Sequence, residues 1–263
     1  MFSLLERVSI VGARRLGFDL KRRKSPAVRV SDHLVGLRDD LAQVDSEAGD
    51  FLRFCLGHMA ESHSQILQDL FVLWVLNEKR DGFFVEFGAT DGLTGSNSAM
   101  LEKRFGWRGI VAEPGRIWHD RLRASRQCVI DTRCVAATSG EHVTFNQAER
   151  PELSTMSSFN TSDFYSSRRR RGTRYGVETV SLNDLLAEHG APATIDYLSV
   201  DTEGSELSIL QAFDLGHYRP RIVTVEHNYS PARDALFRLL SQNGYRRRLE
   251  ELSQVDDWYV REV

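Results

Sequence analysis

The sequence predicts an α/β fold with a mostly parallel sheet and helices on both faces. Three observations carry that expectation. From about residue 62 onward, near-continuous apolar strands alternate with segments of helical periodicity, the pattern of a sheet buried on both sides. One strand, Phe83 to Phe87, runs straight into the glycine turn FGATDG, with a helix-like segment from about Ser96. That layout brings backbone close to a nucleotide-like ligand. Several strands also end on acidic residues or histidine, which a parallel sheet gathers along its carboxyl edge.

The elements follow in order. Residues 1–60 read as a helical N-terminal extension, broken at Ser25-Pro26 and again near Asp45 to Asp50. Its first segment, MFSLLERVSIVGARRLGFDLKRRK, is basic, with Leu4, Leu5, Val8, Val11 and Leu16 on one helical face. Internal charges interrupt it, so it does not read as a cleaved signal, but it can rest on an anionic membrane surface. The main domain is expected over 61–263. Ser62 and Gln65 have capping-box spacing ahead of Ile66, Leu67, Leu70, Phe71, Leu73 and Trp74 at helical spacing. After the strand Phe83 to Phe87, the pattern gives a helix from Asn97 to Phe105 stopped by Gly106, a strand from Gly109 to Ala112 and a helix from Ile117 to Ala124. Strand-like pieces cover Cys128 to Ile130 and Cys134 to Ala136, and Ser181 caps a helix stopped by Gly190. Strands at Ile195 to Val200 and Ile222 to Val225 alternate with helices at Ser205 to Phe213 and Asp234 to Gln242. Polar strands near Tyr245 to Leu249 and Trp258 to Val260 suit a closing hairpin. Pro151 to Tyr175, with Ser157, Ser158 and Phe159 and then Arg168 to Arg171, reads as a long polar loop that can act as a lid over a substrate.

Composition narrows the function. The chain has 263 residues, 41% hydrophobic and 27% charged, with a net charge of −3. This suits a soluble domain with one sizeable core and does not point to nucleic acid. The three cysteines, Cys55, Cys128 and Cys134, have no CxxC spacing. They suit a reducing compartment rather than a disulfide framework or a zinc site, which gives a cytoplasmic expectation. No apolar run approaches the roughly 18 residues of a membrane span.

The strand ends supply the candidate chemistry. Glu86, Glu113, Asp201 with Glu203, and Glu226 with His227 converge if the sheet is parallel. Gly88 and Gly92 can take positive φ, and amides at the next helix start can face a negative ligand group. Glu113 lies about 25 residues beyond Gly88, where an acid accepts both ribose hydroxyls of an adenosine group. That geometry suits NAD and S-adenosylmethionine alike. The missing middle glycine in Gly88-Ala89-Thr90 disfavours a dinucleotide, and no phosphate-loop motif is present.

VEFGATDG, VAEP, VETVSLNDLL, IDYLSVDTEGSELSIL and VTVEHN together resemble the FkbM-type methyltransferase family. SQILQD, upstream, is similar to a segment that often precedes that domain. The resemblance spans roughly Ser64 to Tyr245. It implies the Rossmann-like class I methyltransferase fold with a seven-stranded sheet, and S-adenosylmethionine as methyl donor. It departs from many members at Glu86, where they carry aspartate, and at Thr90, where they carry asparagine.

On that resemblance Glu86, Gly88 and Asp91 surround the methionine end of the donor, Glu113 holds the ribose, and Val135 and Ala136 flank the adenine. Gln65 and Gln68 cover the donor from the upstream helix. Ala89, Gly92, Ser96, Asn97, Pro114 and Asp201 complete the expected donor-binding residues. The implied reaction is O-methylation of a saccharide or similar small-molecule hydroxyl. A hydroxyl acceptor gives up its proton, and Asp201, Glu203 and His227 are the candidate bases. Asp201, Glu226 and His227 can alternatively hold Mg²⁺ or Mn²⁺. A non-catalytic adaptor that keeps the fold and uses the basic amino terminus at a membrane is the competing reading.

Overall fold

The computed structural model describes residues 25–44, 46–159 and 171–262. The basic segment 1–24 and the arginines at 168–170 lie outside the described residues. The chain divides into two compact units between Gly49 and Asp50. In the first unit, helix α1 (Pro26–Leu41) begins with Ser25 Oγ accepting from the Val28 amide at 3.3 Å and Pro26 in the first turn. Helix α2 (Glu47–His58) carries the division. No helix among the described residues is long and apolar enough to cross a membrane.

The second unit is built on a seven-stranded sheet. Its strands are β1 (Phe83–Phe87), β2 (Arg108–Ala112), β3 (Val129–Asp131), β8 (Tyr197–Val200), β9 (Ile222–Glu226), β10 (Tyr245–Arg248) and β11 (Asp256–Arg261). Their spatial order is β10-β11-β9-β8-β1-β2-β3. β3, β2, β1, β8 and β9 pair in parallel, while β11 runs antiparallel to both β9 and β10. The sheet is therefore mixed, because the loop 249–255 between β10 and β11 returns the chain into the sheet as a hairpin instead of a helical crossover. The strand order reverses beside β1, where β2 and β8 flank it on opposite sides, and such a switch point opens a crevice at the carboxyl edge.

Both faces of the sheet are covered. Val85, Ile110, Leu198, Val223 and Tyr259 pack in one core with Leu185, Leu186, Ile209, Leu210, Leu236 and Leu240. These last six lie on helices α6 (Leu182–Glu188), α7 (Glu206–Ala212) and α8 (Arg233–Gln242). An aromatic cluster lies elsewhere in the unit, with the Phe71 and Trp258 ring centroids 4.8 Å apart and Phe51 edge-on to both. Helix α3 (Gln68–Val75) contributes Phe71. Helices α4 (Ala99–Phe105) and α5 (His119–Ser125) complete the alternation.

Two local expectations fail. Ser62 and Gln65 form no capping box: α3 starts at Gln68 after Leu67 in the left-handed region. Ser62 Oγ and the amides of His63 and Ser64 bind the buried Asp69 carboxylate instead, which ties the preceding loop to the helix. The second failure is a whole sheet. Strands β4 (Cys134–Ala136), β5 (His142–Ala148), β6 (Thr155–Met156) and β7 (Gly172–Ser181) form a four-stranded sheet in the order β4-β7-β5-β6. Much of the segment expected as a polar loop is thus ordered, with 3₁₀ turns at Pro151–Leu153 and Ser157–Phe159. Phe145, Met156 and Val177 bury a small core there with Cys134, and Phe159 packs on it.

Candidate functional site

The carboxyl edge of the large sheet opens on a cleft of about 550 Å³. Its wall is built by the ends of four parallel strands. Phe87 and Gly88 come from β1, Ala112, Glu113 and Pro114 from β2, Asp201, Thr202 and Glu203 from β8, and Glu226 from β9. His63, Ser64 and Gln65 border it from the loop before α3. The small sheet supplies Cys134, Val135, Phe145 and Met156, together with the turn from Arg150 to Ser154.

The glycine turn shapes the centre of the cleft. Gly88 has φ +74, and its amide donates to the Ala112 carbonyl at 3.2 Å. Glu113 locks the turn from the neighbouring strand. Its Oε2 accepts from the Thr90 amide at 3.0 Å and its Oε1 from the Gly115 amide at 2.6 Å. Burial pushes the Glu113 carboxyl up to about 7 despite those two amides, and Asp201 and Glu86 push the same way. Each carboxylate oxygen keeps a further acceptor position.

Several expected donor contacts lie behind the cleft instead. Glu86 is buried and accepts from Ser96 Oγ at 2.9 Å and the Asn97 amide at 2.6 Å. The buried Arg126 guanidinium stands 3.5 Å from it. Glu86 with Ser96 and Asn97 therefore anchors the loop that follows the glycine turn and does not border the cleft. Asp91 spends its carboxylate on the amides of Leu93 and Thr94 and on Thr94 Oγ1. Burial opposes ionisation there, but these hydrogen bonds outweigh it and hold the carboxyl below its usual range. Gln68 joins the Ile66 amide to Asp256, at 3.0 and 2.9 Å. Gly92 packs against Ser125, Arg126 and Leu122, Ala89 is fully buried, and Ala136 packs on the small core. Of the expected donor residues, the structure brings Gln65, Gly88, Glu113, Pro114, Val135 and Asp201 to the cleft.

Asp201, Glu203 and Glu226 converge, with one carboxylate oxygen of each lying within 4.8 Å of the others. Burial pushes the Glu226 carboxyl well above the usual range, and Asp201, Glu203, Glu206 and Asp256 add to the push. Glu206 closes the loop after β8 by accepting from the Thr202 and Gly204 amides, both at 2.9 Å. Glu203 turns toward the others from a left-handed conformation, φ +60.

His227 departs from both of its expected roles. It is 3% exposed and lines a separate pocket of about 140 Å³ with Glu206, Glu226 and Asn228, not the larger cleft. Its Nδ1 accepts from the Tyr229 amide at 3.0 Å, while Nε2 has no hydrogen-bond partner among the described residues and stands 3.8 Å from Asp257. Burial holds the imidazole below its ordinary pKa. Of the expected metal group of Asp201, Glu226 and His227, the structure brings Asp201 and Glu226 together with Glu203 beside them, while the turn after β9 sets the His227 ring against the Tyr229 amide and near Asp257.

Sequence reasoning missed His63, Thr94, Gly95, Phe145, Arg150 and Asn228 at the cleft, whereas Pro151 to Ser154 and Met156 belong to the segment expected to cover a substrate. Asn228, directly after the singled-out Glu226-His227 pair, was the one within reach of a strand-end argument. Ser157, Ser158 and Phe159 do not border the cleft.

Comparison with curated proteins gives no match. Among solved structures the chain resembles a precorrin-6Y C5,15-methyltransferase from Geobacter metallireducens GS-15, with 11% identity over 73% of this chain and 85% of that one and a TM-score of 0.38. It also resembles a chain of a fibrillarin/Nop5p complex, with 10% identity over 76% and 81% and a TM-score of 0.35. Neither likeness is close enough to bear on the chemistry. The family profile of the methyltransferase FkbM domain matches residues 86–247, more than half of the chain, and the protein therefore belongs to the FkbM methyltransferase family.

Proposed function

We propose that the protein transfers a methyl group from S-adenosylmethionine to a hydroxyl of a small-molecule acceptor such as a saccharide. The observation that carries this reading is the placement of Glu113. It closes β2 beside the glycine turn, faces the cleft, and keeps acceptor positions for vicinal hydroxyls. The donor fits the residues present. The cleft volume lies within the roughly 300–1,000 Å³ range of small-molecule sites, and its wall is apolar at Ala112, Val135 and Phe145 and polar at Ser64 and Gln65. When bound, S-adenosylmethionine supplies an electrophilic methyl on a sulfonium.

The chain's own residues do the rest. Glu113 holds the ribose end through charge-assisted hydrogen bonds. Val135 and Pro114 offer apolar surface to the base. Asp201 and Glu203 stand on the opposite strand end, where a carboxylate can receive the acceptor's proton. Phe145, Met156 and the Arg150–Ser154 turn wall the cleft beyond the donor, where they would border an acceptor and exclude water from it.

Calorimetry of the full chain against S-adenosylhomocysteine and against NAD tests the reading. Micromolar binding of the first and none of the second is expected; binding of NAD alone would overturn it. Affinity should also follow the Glu113 charge. With its carboxyl near 7, Glu113 is protonated below that pH and loses its charged-acceptor strength. At pH 6 only about a tenth of the free protein carries the competent carboxylate, so the dissociation constant should rise about tenfold relative to pH 8. Glu113→Gln should flatten that dependence, and Glu113→Ala should weaken binding at pH 8 by about tenfold or more. A pH profile that is the same in wild type and Glu113→Gln contradicts the assignment.

A further inference from the structure

Between β8 and β9 the chain concentrates oxygen donors. Asp201 and Glu203 come from the loop after β8 and Glu226 from the last residue of β9, and one carboxylate oxygen of each lies within 4.8 Å of the others. Oxygens on opposite sides of a bound cation stand about 4.2 Å apart around Mg²⁺ and about 4.6–5.2 Å apart around Ca²⁺, so these three oxygens lie at or near coordination spacing.

A separate observation points to a ligand at the same place. Asn228 is 5% exposed, borders the cleft beside these carboxylates, and donates from Nδ2 to Glu203 Oε2 at 3.3 Å. Its Oδ1 is buried with no hydrogen-bond partner among the described residues. Exchanging the amide oxygen and nitrogen would set the oxygen against the Glu203 carboxylate, so the orientation is fixed and the oxygen is the end left over. A buried amide oxygen without a partner is costly, and a cation is a partner that the neighbouring carboxylates would also favour.

We propose that Asp201, Glu203, Glu226 and the Asn228 side-chain oxygen bind one divalent cation of the hard, oxygen-preferring class, Mg²⁺ or Mn²⁺. His227 is not a ligand. The site opens on the cleft, where a bound cation would also coordinate an acceptor hydroxyl and lower its pKa; that role rests on the methyl-transfer reading, whereas the binding site does not.

The test uses the full chain stripped with EDTA and exchanged into chelator-free buffer. MnCl₂ is titrated while the paramagnetic resonance signal of free Mn²⁺ is followed. One ion per chain should bind with a dissociation constant on the order of 10–100 µM. Asp201→Asn and Glu226→Gln should each weaken it at least about tenfold, and Asn228→Ala several-fold, while the surface change Asp120→Asn should leave it unaltered. Folding is checked by melting in EDTA. Glu226→Gln keeps the shape of the side chain and adds no charge to a crowded acidic group, so its melting temperature there should equal or exceed that of wild type, and only the Mn²⁺-induced rise should disappear. No saturable binding below 1 mM, or wild-type binding in the Asp201 and Glu226 variants, overturns the proposal. Binding of S-adenosylhomocysteine in EDTA is measured alongside and judges the donor reading separately.

Discussion

Arg126→Ala is expected to destabilise the fold by about 3–5 kcal/mol, the cost of stranding buried carboxylates by removing their cation. The Arg126 side chain is fully buried. Its guanidinium lies 3.5 Å from Glu86, and its Nε pairs closely with Glu102. The remaining donors reach Ser96 Oγ at 3.1 Å, Ser98 Oγ at 2.8 Å and, at 3.4 Å, the Gly92 carbonyl. Its planar face stands 5.3 Å from the Phe84 ring centroid. One residue thus joins β1, the loop from Gly92 to Ser98, and α4. Without it, Glu86 is left in a buried site with hydroxyl and amide donors but no counter-charge. Urea denaturation followed by circular dichroism measures the loss. The double variant Arg126→Met with Glu86→Gln removes both charges and should recover part of it, because an apolar or neutral replacement of a buried pair is far less costly than half of one. A loss under 1 kcal/mol in Arg126→Ala would mean that water reaches the network and that Glu86 is not buried in solution.

The same network explains why the site was only partly legible in the sequence. The alternation of apolar strands and amphipathic helices set the sheet, because burial on both faces leaves few polar positions in Phe83–Phe87, Tyr197–Val200 and Ile222–Glu226. Glycine stops at Gly106 and Gly190 were readable for a local reason, since both take positive φ just beyond a helix. The small sheet was not readable. β7 is exposed along most of its first half, and β5 alternates only weakly, so neither carries a hydrophobic period strong enough to separate strand from loop.

At the site, position along the strands was legible but side-chain direction was not. Glu86 and Glu113 are both strand-end acids in sequence, yet Glu86 turns back to Ser96, Asn97 and Arg126, whereas Glu113 turns toward the glycine turn and the cleft. The difference depends on Arg126, forty residues from Glu86 and invisible to any local motif. Likewise, His227 looked like the reactive member of Glu226-His227, but the backbone beyond β9 takes positive φ at Asn228 and Tyr229. That turn folds the ring against the Tyr229 amide and leaves Glu226 and Asn228 at the cleft.

Gly88→Ala should reduce affinity for S-adenosylhomocysteine at least about a hundredfold and lower stability by about 2–4 kcal/mol. Two costs combine at this position. The backbone has φ +74, which costs a residue with a Cβ about 1–2 kcal/mol. The added Cβ would also lie 2.4 Å from the Asp201 carbonyl oxygen, a main-chain atom with no rotamer to relieve the contact. Relief requires the turn after β1 and the end of β8 to part, which moves the Thr90 amide from Glu113 and shifts Asp201 from Glu203 and Glu226. The backbone cost can be measured apart from the contact. Gly140 has φ +77, but nothing lies within 4 Å of a Cβ built there, so Gly140→Ala should lose only about 1–2 kcal/mol and leave ligand affinity unchanged. Denaturation and calorimetry on the two variants give the difference. Equal losses of stability would show that positive φ alone requires Gly88 and that the approach of the turn to Asp201 is not what forms the cleft.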